Sequence, residues 1–365
     1  MQFEITPEQR FIEAGNENIA WCGRIDDSVP GARRLIFPYS SATLRFTSPY
    51  IQVIVRNHVL PEERRETALG VVLDGKEEQQ TKVIPEHRDG VQVLTLAEGL
   101  DGSEHTAFLF KRSDDFYEVE ILGFVLAESG RILPAPKQPR KCIEFYGDSV
   151  TAGEVSEAVK FVRKPDPENH GEFNNSYYSY AAITARLLNA RAHLSAQGGI
   201  ALLPGTGYFP RPETNGMVDV FDRVRFNREL GELAPWDFTR FTPSIVVVAI
   251  GQNDDFPENY MRDNPRGEKA KVWKDAYRNF ILNLRSRYPK AYIILTTTIL
   301  NHAPHWDRAI GSVCAELQQD DPKLYHFLYC NNGRGTPGHV RIPEAEVMAL
   351  ELRAFINGLG TEVWR

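Results

Sequence analysis

The sequence predicts an α/β protein in which an all-β sandwich of the jelly-roll type, residues 1–135, precedes a parallel sheet flanked by helices, residues 136–365. Two observations predict this division. The first part of the chain reads as short strands separated by turn residues, whereas the rest alternates apolar strands with amphipathic helices. Between the two parts, residues 133–141 (LPAPKQPRK) carry three prolines, which cannot join a sheet ladder and therefore mark a linker. A length of 365 residues fits two domains, although one long domain is also compatible with it.

Six segments account for the predicted sandwich. Each is rich in Val, Ile, Phe, Tyr, Leu and Thr, and in many of them apolar residues alternate with polar ones, as in a strand with one buried face. The stretches LDGK and GLDGSE supply residues that favour turns. In chain order the segments are LIFPYSSATLRFT, YIQVIVRN, TALGVVLDGKEEQQTKVIP, VQVLTLAEGL, EHTAFLFKRSD and FYEVEILGFVLAE.

After the linker, continuous apolar strands alternate with helical patterns, which is typical of a parallel sheet covered on both faces. The predicted strands are CIEFYG, AHLSAQ, SIVVVAIGQND, AYIILTTTIL and LYHFLYCN. The predicted helices are SYYSYAAITARLLNA, KVWKDAYRNFILNLRSRYP, RAIGSVCAELQQ and PEAEVMALELRAFINGL. The charged stretch FDRVRFNRELGE, residues 221–232, is interpreted as the solvated face of a further helix.

Composition and charge exclude several classes of function. A net charge of −7 without a basic run argues against nucleic acid as a partner, and no stretch has the roughly 20 apolar residues that cross a bilayer. The start MQFEITPEQRF lacks the order of a secretory signal, so we expect a cytoplasmic location, or a secreted one if a leader has been removed. The four cysteines are scattered, which favours free thiols, and we expect neither a metal nor a cofactor.

Three polar stretches follow three predicted strands, where the ligands of open parallel sheets bind. GDSVTAG follows the first strand, SAQGG the second and GQNDD the third. A serine hydrolase needs a nucleophilic hydroxyl, a base and donors for the oxyanion, and Ser149, Gly198 and Asn253 can supply the hydroxyl and three donors. The alternative is that Ser149 is an ordinary helix cap. Since Thr151 replaces the last glycine of G-x-S-x-G, the α/β-hydrolase elbow is excluded.

With PGHV near the C-terminus, these blocks resemble in order the Ser, Gly, Asn and His blocks of the SGNH, or GDSL-type, hydrolases, whose sheet is flavodoxin-like. Within that superfamily the chain is most similar to carbohydrate esterase family 2. The resemblance covers both domains and rests on the stretches WCGRID, VLDG, LAEGLDGSEHTAFLFKR, IEFYGDSVTAGE, NNSYYSYAAITARLLNA and PWDFTRFTPSIVVVAIGQND. It implies a metal-independent enzyme that removes acetyl groups from xylan or glucomannan. Ser149 and His339 would be catalytic, with Ser149, Gly198 and Asn253 forming the oxyanion hole.

The base is expected to lack a carboxylate partner. Many relatives carry an Asp two or three residues before this His, but Thr336 and Pro337 occupy those positions here. The resemblance therefore suggests a Ser-His dyad in which one of those two carbonyls holds the Nδ1 proton of His339. His302 and His305 are rival histidines for contact with substrate, and Trp306 and Tyr208 are candidates for stacking on a sugar ring.

Two other functions stay open. A lipase or thioesterase can use the same machinery, although no apolar lid flanks the site. A glycan-binding protein without activity would fit the missing Asp and the sandwich. The expected partner is an acetylated carbohydrate, while the polysaccharide, the position of its acetyl group and the oligomeric state are not fixed by the sequence.

Overall fold

The computed structural model describes residues 4–88, 90–209 and 215–365. The chain divides into two compact units. One runs to Gln138 and also includes His170–Glu172, whereas the other comprises Pro139–Asn169 and Phe173–Arg365. The short segment 170–172 thus packs with the first unit, although the sequence analysis had placed it in the second domain.

The first unit consists of two antiparallel sheets. One has the order β3-β4-β11-β6-β9, with β1 also paired to β11, and the other has the order β12-β5-β10-β7-β8, with β2 also paired to β5. The strands are β1 Gln9–Glu13, β2 Ile19–Cys22, β3 Ile25–Asp26, β4 Arg33–Leu35, β5 Ser41–Thr47, β6 Tyr50–Val59, β7 Leu69–Leu73, β8 Thr81–Val83, β9 Val91–Glu98, β10 Glu104–Lys111, β11 Tyr117–Ala127 and β12 Arg131–Leu133.

The core of this unit lies between the two sheets. Leu44 and Phe46 of β5 belong to the same buried cluster as Val53 and Val55 of β6, which is in the other sheet. In each pair the residues are two apart, so their side chains share one face of the strand. The predicted sandwich is therefore confirmed.

The second unit is built on five parallel strands that neighbour each other in the order β14-β13-β15-β16-β17. All five residues of β15 are buried, as expected for a strand covered on both faces. The strands are β13 Lys141–Gly147, β14 Ala190–Ala196, β15 Ile245–Ala249, β16 Tyr292–Thr296 and β17 Leu324–His326. The α-helices are α1 Ser149–Ala152, α2 Tyr180–Leu187, α3 Met217–Val220, α4 Tyr260–Asp263, α5 Glu268–Arg287, α6 Pro304–Leu317 and α7 Ile342–Gly358.

The helix expected at residues 221–232 is wrong. This segment folds as turns, and the Val224 amide donates to the Ala234 carbonyl while Arg223 bridges Pro235 in antiparallel fashion. Residues 224–227 are all buried, including Arg225 and Asn227, and such a continuous buried run does not have the exposed polar face of a surface helix.

The strand order places the ends of β13 and β15 side by side. Numbered within this sheet, the order is 2-1-3-4-5, which is the flavodoxin-like arrangement, and its connections change direction between the first and third strands. Ligands of such sheets bind in the crevice at that point, beyond the carboxyl ends of the strands. Among the residues described, no helix is long and apolar enough to span a membrane.

Candidate active site

Ser149 is the first residue of α1, directly after β13. The helix is capped by Asp148, whose Oδ1 accepts a hydrogen bond from the Val150 amide at 3.0 Å. The alternative that Ser149 is the helix cap is therefore wrong. A side chain at Gly147 would meet the Thr151 hydroxyl at 2.0 Å, so this sharp passage from strand to helix requires glycine.

Asp148 also joins the first strand end to the third. Its Oδ2 accepts hydrogen bonds from Gln252 Nε2 at 2.6 Å and from Asn253 Nδ2 at 3.2 Å. Burial raises the pKa of Asp148 to about 6, although the hydrogen bonds from Val150 and Gln252 oppose that rise. This carboxylate therefore organises the loops at the two strand ends.

Asn253 also contacts the loop that follows the second strand. Its Nδ2 donates to the Ile200 carbonyl at 3.0 Å, and the Gln197 amide donates to the Gly147 carbonyl at 3.2 Å. Gly198 lies between these two anchored residues. The structure therefore brings together the loops that carry Ser149, Gly198 and Asn253.

His339 has a carboxylate partner that the sequence analysis did not find. Asp166 Oδ2 lies 2.6 Å from His339 Nδ1, and Asp166 Oδ1 accepts the His339 backbone amide at 2.8 Å. The predicted backbone partner is wrong: the Thr336 carbonyl accepts the Asn301 amide at 2.9 Å instead. The residue that orients the ring comes from the loop between α1 and α2, not from the final loop.

Arg341 binds both Asp166 and His339. Its side chain is fully buried, donates to Asp166 Oδ1 at 2.7 Å and also donates to the His339 carbonyl. Partial burial would raise the pKa of Asp166, but hydrogen bonds and the charges of His339 and Arg341 hold it well below its usual range. Burial likewise disfavours a charged His339, yet the hydrogen bond to Asp166 and the charges of Glu154, Asp166 and Asp148 raise its pKa.

The opposite side of the His339 ring faces the turn that begins at Ser149. Glu154 Oε2 lies 4.0 Å from His339 Nε2, and the Glu154 amide donates to the Ser149 carbonyl at 3.0 Å. The imidazole therefore lies beside the turn that begins at the nucleophile candidate. Sequence reasoning also missed Glu154 as a neighbour of this ring.

Comparisons with known proteins show which family the chain resembles in sequence and fold. Residues 21–136 match the family described as carbohydrate esterase 2 N-terminal. Over 357 residues the chain is 32% identical to the cellulase/esterase CelE of Acetivibrio thermocellus, a match that covers 94% of this chain and 40% of that protein. A solved family two carbohydrate esterase from Clostridium thermocellum, in complex with cellohexaose, aligns over 95% of this chain and 100% of its own with a TM-score of 0.77 and 28% identity.

The chain belongs to carbohydrate esterase family 2. A further family 2 relative is the acetylxylan esterase / glucomannan deacetylase of Cellvibrio japonicus, 27% identical over 215 residues, which are 58% of this chain and 54% of that protein. The chain spans about two fifths and about half of the lengths of these two curated relatives.

In this family 2 chain, His302 already has hydrogen-bond partners within the protein. His302 Nδ1 lies 2.7 Å from the Leu300 carbonyl, and Nε2 lies 3.2 Å from both carboxylate oxygens of Asp307. Both neighbours are hydrogen-bond acceptors, an environment that favours a proton on each ring nitrogen, and the contacts with Asp307 and Leu300 raise the pKa of His302 despite its burial. Because its side chain is only 1% exposed, the expectation that His302 contacts substrate is wrong. The other rival, His305, has its Nδ1 atom buried without a partner among the described residues, and nothing places it in contact with substrate.

The two predicted stacking residues differ sharply in exposure. Trp306 is fully buried against Trp273 and Tyr260, at ring distances of 5.3 and 5.2 Å, so its expected contact with a sugar is wrong. It lies on the inner face of α6 and packs the core. Tyr208 is 56% exposed and stacks at 4.6 Å on Phe256, which is 46% exposed.

This exposed aromatic pair lies beside the loops of the candidate site. The Tyr208 amide donates to the Gly199 carbonyl at 2.7 Å, and Phe256 lies three residues after Asn253.

Within the described ranges, no group of three or more His, Cys, Asp or Glu side chains is arranged to hold a metal ion.

Proposed function

We propose that this chain is a serine esterase that removes O-acetyl groups from oligo- or polysaccharides, with Ser149, His339 and Asp166 as its catalytic residues. The observation that carries the proposal is the 2.6 Å contact between Asp166 and His339 Nδ1, which leaves Nε2 directed toward the turn of Ser149. An ionised carboxylate at Nδ1 fixes the tautomer in which Nε2 is a base. A family that includes carbohydrate esterases supplies the substrate class.

The reaction then follows from the positions of these groups. His339 Nε2 takes the proton of the Ser149 hydroxyl, whose oxygen attacks the acetyl carbonyl carbon. The resulting imidazolium, stabilised by Asp166, gives its proton to the sugar oxygen as the carbon–oxygen bond breaks. A water molecule deprotonated by His339 next attacks the acetyl-enzyme, and acetate leaves as Ser149 regains its proton.

The oxyanion formed in each half of the reaction would be held by the amides of Ser149 and Gly198 and by Asn253 Nδ2. In the free protein Nδ2 donates to Ile200 at 3.0 Å and to Asp148 at 3.2 Å. We expect the longer bond, to Asp148, to be exchanged for the oxyanion. Asp148 would keep its two shorter hydrogen bonds, from Gln252 and Val150.

The exposed pair of Tyr208 and Phe256 favours a sugar as the alcohol part of the ester. Apolar ring faces that stay in water beside a polar site suit the C–H faces of a pyranose. Tyr208 is bonded to Gly199, next to Gly198, and Phe256 comes three residues after Asn253. A sugar stacked on this aromatic pair would therefore lie next to the oxyanion site.

Replacing Ser149 tests the proposal. We expect Ser149→Ala to lower acetate release from acetylated xylo- and glucomanno-oligosaccharides by at least about 10³-fold, with affinity for the oligosaccharide retained. The measurements are acetate assays and titration calorimetry, with Ser156→Ala, a buried serine in the segment that follows α1, as control. If the wild type turns over only medium-chain esters, the carbohydrate assignment is contradicted.

A second candidate function is glycan binding without catalysis. It is favoured by one observation, the cellohexaose complex of the family two esterase that is 28% identical to this chain. In that case Ser149→Ala would change neither affinity nor any measurable turnover, and Tyr208→Ala alone would weaken binding.

A further inference from the structure

A second carboxylate faces the candidate catalytic histidine, at the ring nitrogen opposite Asp166. We propose that Glu154 is a positioning residue which, together with Asp166, brackets the His339 ring and stabilises it as an imidazolium beside Ser149. This inference rests on the proposed function: the acid limb of its pH dependence is the titration of His339, and Glu154 moves that limb to higher pH.

The backbone holds Glu154 in place. Its amide donates to the Ser149 carbonyl at 3.0 Å, directly after Gly153, which has a left-handed conformation with φ 79°. The next residue, Val155, is also left-handed, with φ 55°, although its side chain is β-branched. A residue of this type adopts such a conformation only where its surroundings enforce it.

Two contacts enforce the conformation at Val155. The Val155 amide donates to Asn174 Oδ1 at 3.0 Å, and the Val155 side chain is buried. Consequently the turn after α1 is fixed at both of its ends, by Ser149 and by Asn174. The side chain of Glu154 leaves this fixed turn toward His339 Nε2.

The charges around the ring add up to favour the protonated form. Asp166 lies at Nδ1, Glu154 lies 4.0 Å from Nε2, and the charge of the buried Asp148 also raises the pKa of the ring. Arg341 binds Asp166 at 2.7 Å and so offsets part of the charge of that carboxylate. Glu154 and His339 are 18% and 23% exposed, so solvent screens their interaction only in part.

Two consequences follow for the reaction. The imidazolium that forms when Ser149 gives up its proton lies between two negative charges, which lowers the barrier to that step. The same charges keep His339 protonated to higher pH, and a protonated ring cannot act as a base. Activity should therefore fall on acidification at a higher pH with Glu154 than without it.

The experiment compares Glu154→Gln with Glu157→Gln. The control residue Glu157 lies in the same loop, where its carboxylate accepts Asn175 Nδ2 at 2.7 Å, a hydrogen bond that a glutamine oxygen can keep. The His339 ring is titrated by NMR in isotope-labelled protein and assigned by comparison with His339→Gln. The pH profile of kcat/KM is measured on an acetylated oligosaccharide, and circular dichroism checks folding.

We expect Glu154→Gln to move both the ring titration and the acid limb of kcat/KM to lower pH, to reduce the plateau kcat a few-fold and to leave KM unchanged. Glu157→Gln should change none of these. An unchanged ring titration in a folded Glu154→Gln variant overturns the inference. An increase in KM with an unchanged pH profile also overturns it, and would make Glu154 a contact for a sugar hydroxyl.

Failure of the proposed function gives a different result. The NMR titration needs no substrate, so a shifted ring titration without turnover in the wild type would contradict the esterase while the electrostatic role of Glu154 stands. Turnover with an unshifted titration would contradict only the inference.

Discussion

At the scale of single residues, the 2.6 Å contact between His339 and a carboxylate 173 residues earlier in the chain decides what the histidine can do. A neutral carbonyl at Nδ1 would orient the ring but would stabilise its positive charge less than a carboxylate does. Because Arg341 is buried against Asp166, the carboxylate stays ionised and in place. We therefore expect His339 to behave as the base of a Ser-His-Asp triad rather than of a dyad.

Replacing Asp166 tests this assignment. In Asp166→Asn the amide can donate to Nδ1 and so favour the wrong tautomer, and we predict a loss in kcat of about 10²- to 10⁴-fold. KM should change little, because Asp166 would not contact substrate. The measurements are steady-state kinetics and a pH profile.

The control for this prediction is Asp263→Asn, an exposed aspartate whose carboxylate pairs with the neighbouring Arg262. It should leave kcat unchanged. An Asp166→Asn variant that folds and keeps its full kcat would show that a backbone group orients the ring.

At the scale of the elements, the ends of the parallel strands are held together by buried polar side chains. On one side of β15, Asp148 joins β13 to Gln252 and Asn253. On the other side, Asp307 on α6 accepts hydrogen bonds from Thr297, at 2.5 Å, and from His302. These bonds fix the loops at the strand ends, where the candidate site lies.

The His302–Asp307 pair predicts a pH dependence of stability. Burial lowers the pKa of His302, but the contacts with Asp307 and Leu300 outweigh it and raise that pKa above its ordinary 6.5. The pKa of Asp307 is lowered from its ordinary 3.8, since the bonds from His302 and Thr297 outweigh its burial. Hence the pair stabilises the folded state most at pH values between the two ordinary pKa values, 3.8 and 6.5. Its contribution is lost as pH rises through the folded pKa of His302, or falls through that of Asp307.

We predict that Asp307→Asn lowers the free energy of unfolding by up to about 3 kcal/mol near pH 5 and by clearly less near pH 9. Denaturant unfolding of the variant and the wild type at both pH values measures this difference. A difference that is equal at the two pH values would show that the ring is neutral in the folded protein.

At the scale of the whole molecule, the sequence predicted what periodic patterns and strand ends determine. Alternating residues such as Leu44 and Phe46 revealed the sandwich, and GDS and GQND, at the ends of two apolar strands, located Ser149 and Asn253. In a parallel sheet the ends of neighbouring strands lie at the same edge, so residues distant in the chain become neighbours there.

What the sequence left undetected depends on tertiary contacts. Asp166 lies in a loop with no periodic pattern, and only the folded chain brings it to His339. The sequence made Trp306 a candidate for stacking on a sugar ring. In the structure its side chain lies on the inner face of α6, against Trp273. The short strand β3 pairs with β4 over two residues and carries too few residues for alternation to be recognised.

The most direct test of the account is to identify the residue that carries the acetyl group during turnover. The protein is mixed with an activated acetyl ester, quenched in acid within the first turnovers, digested and analysed by mass spectrometry. The account predicts an acetyl group on Ser149 that is absent from Ser149→Ala and that forms far more slowly in His339→Gln, because the hydroxyl then lacks its base. Acetate release at the wild-type rate by Ser149→Ala, or an acetyl group on another residue in an active enzyme, would contradict it.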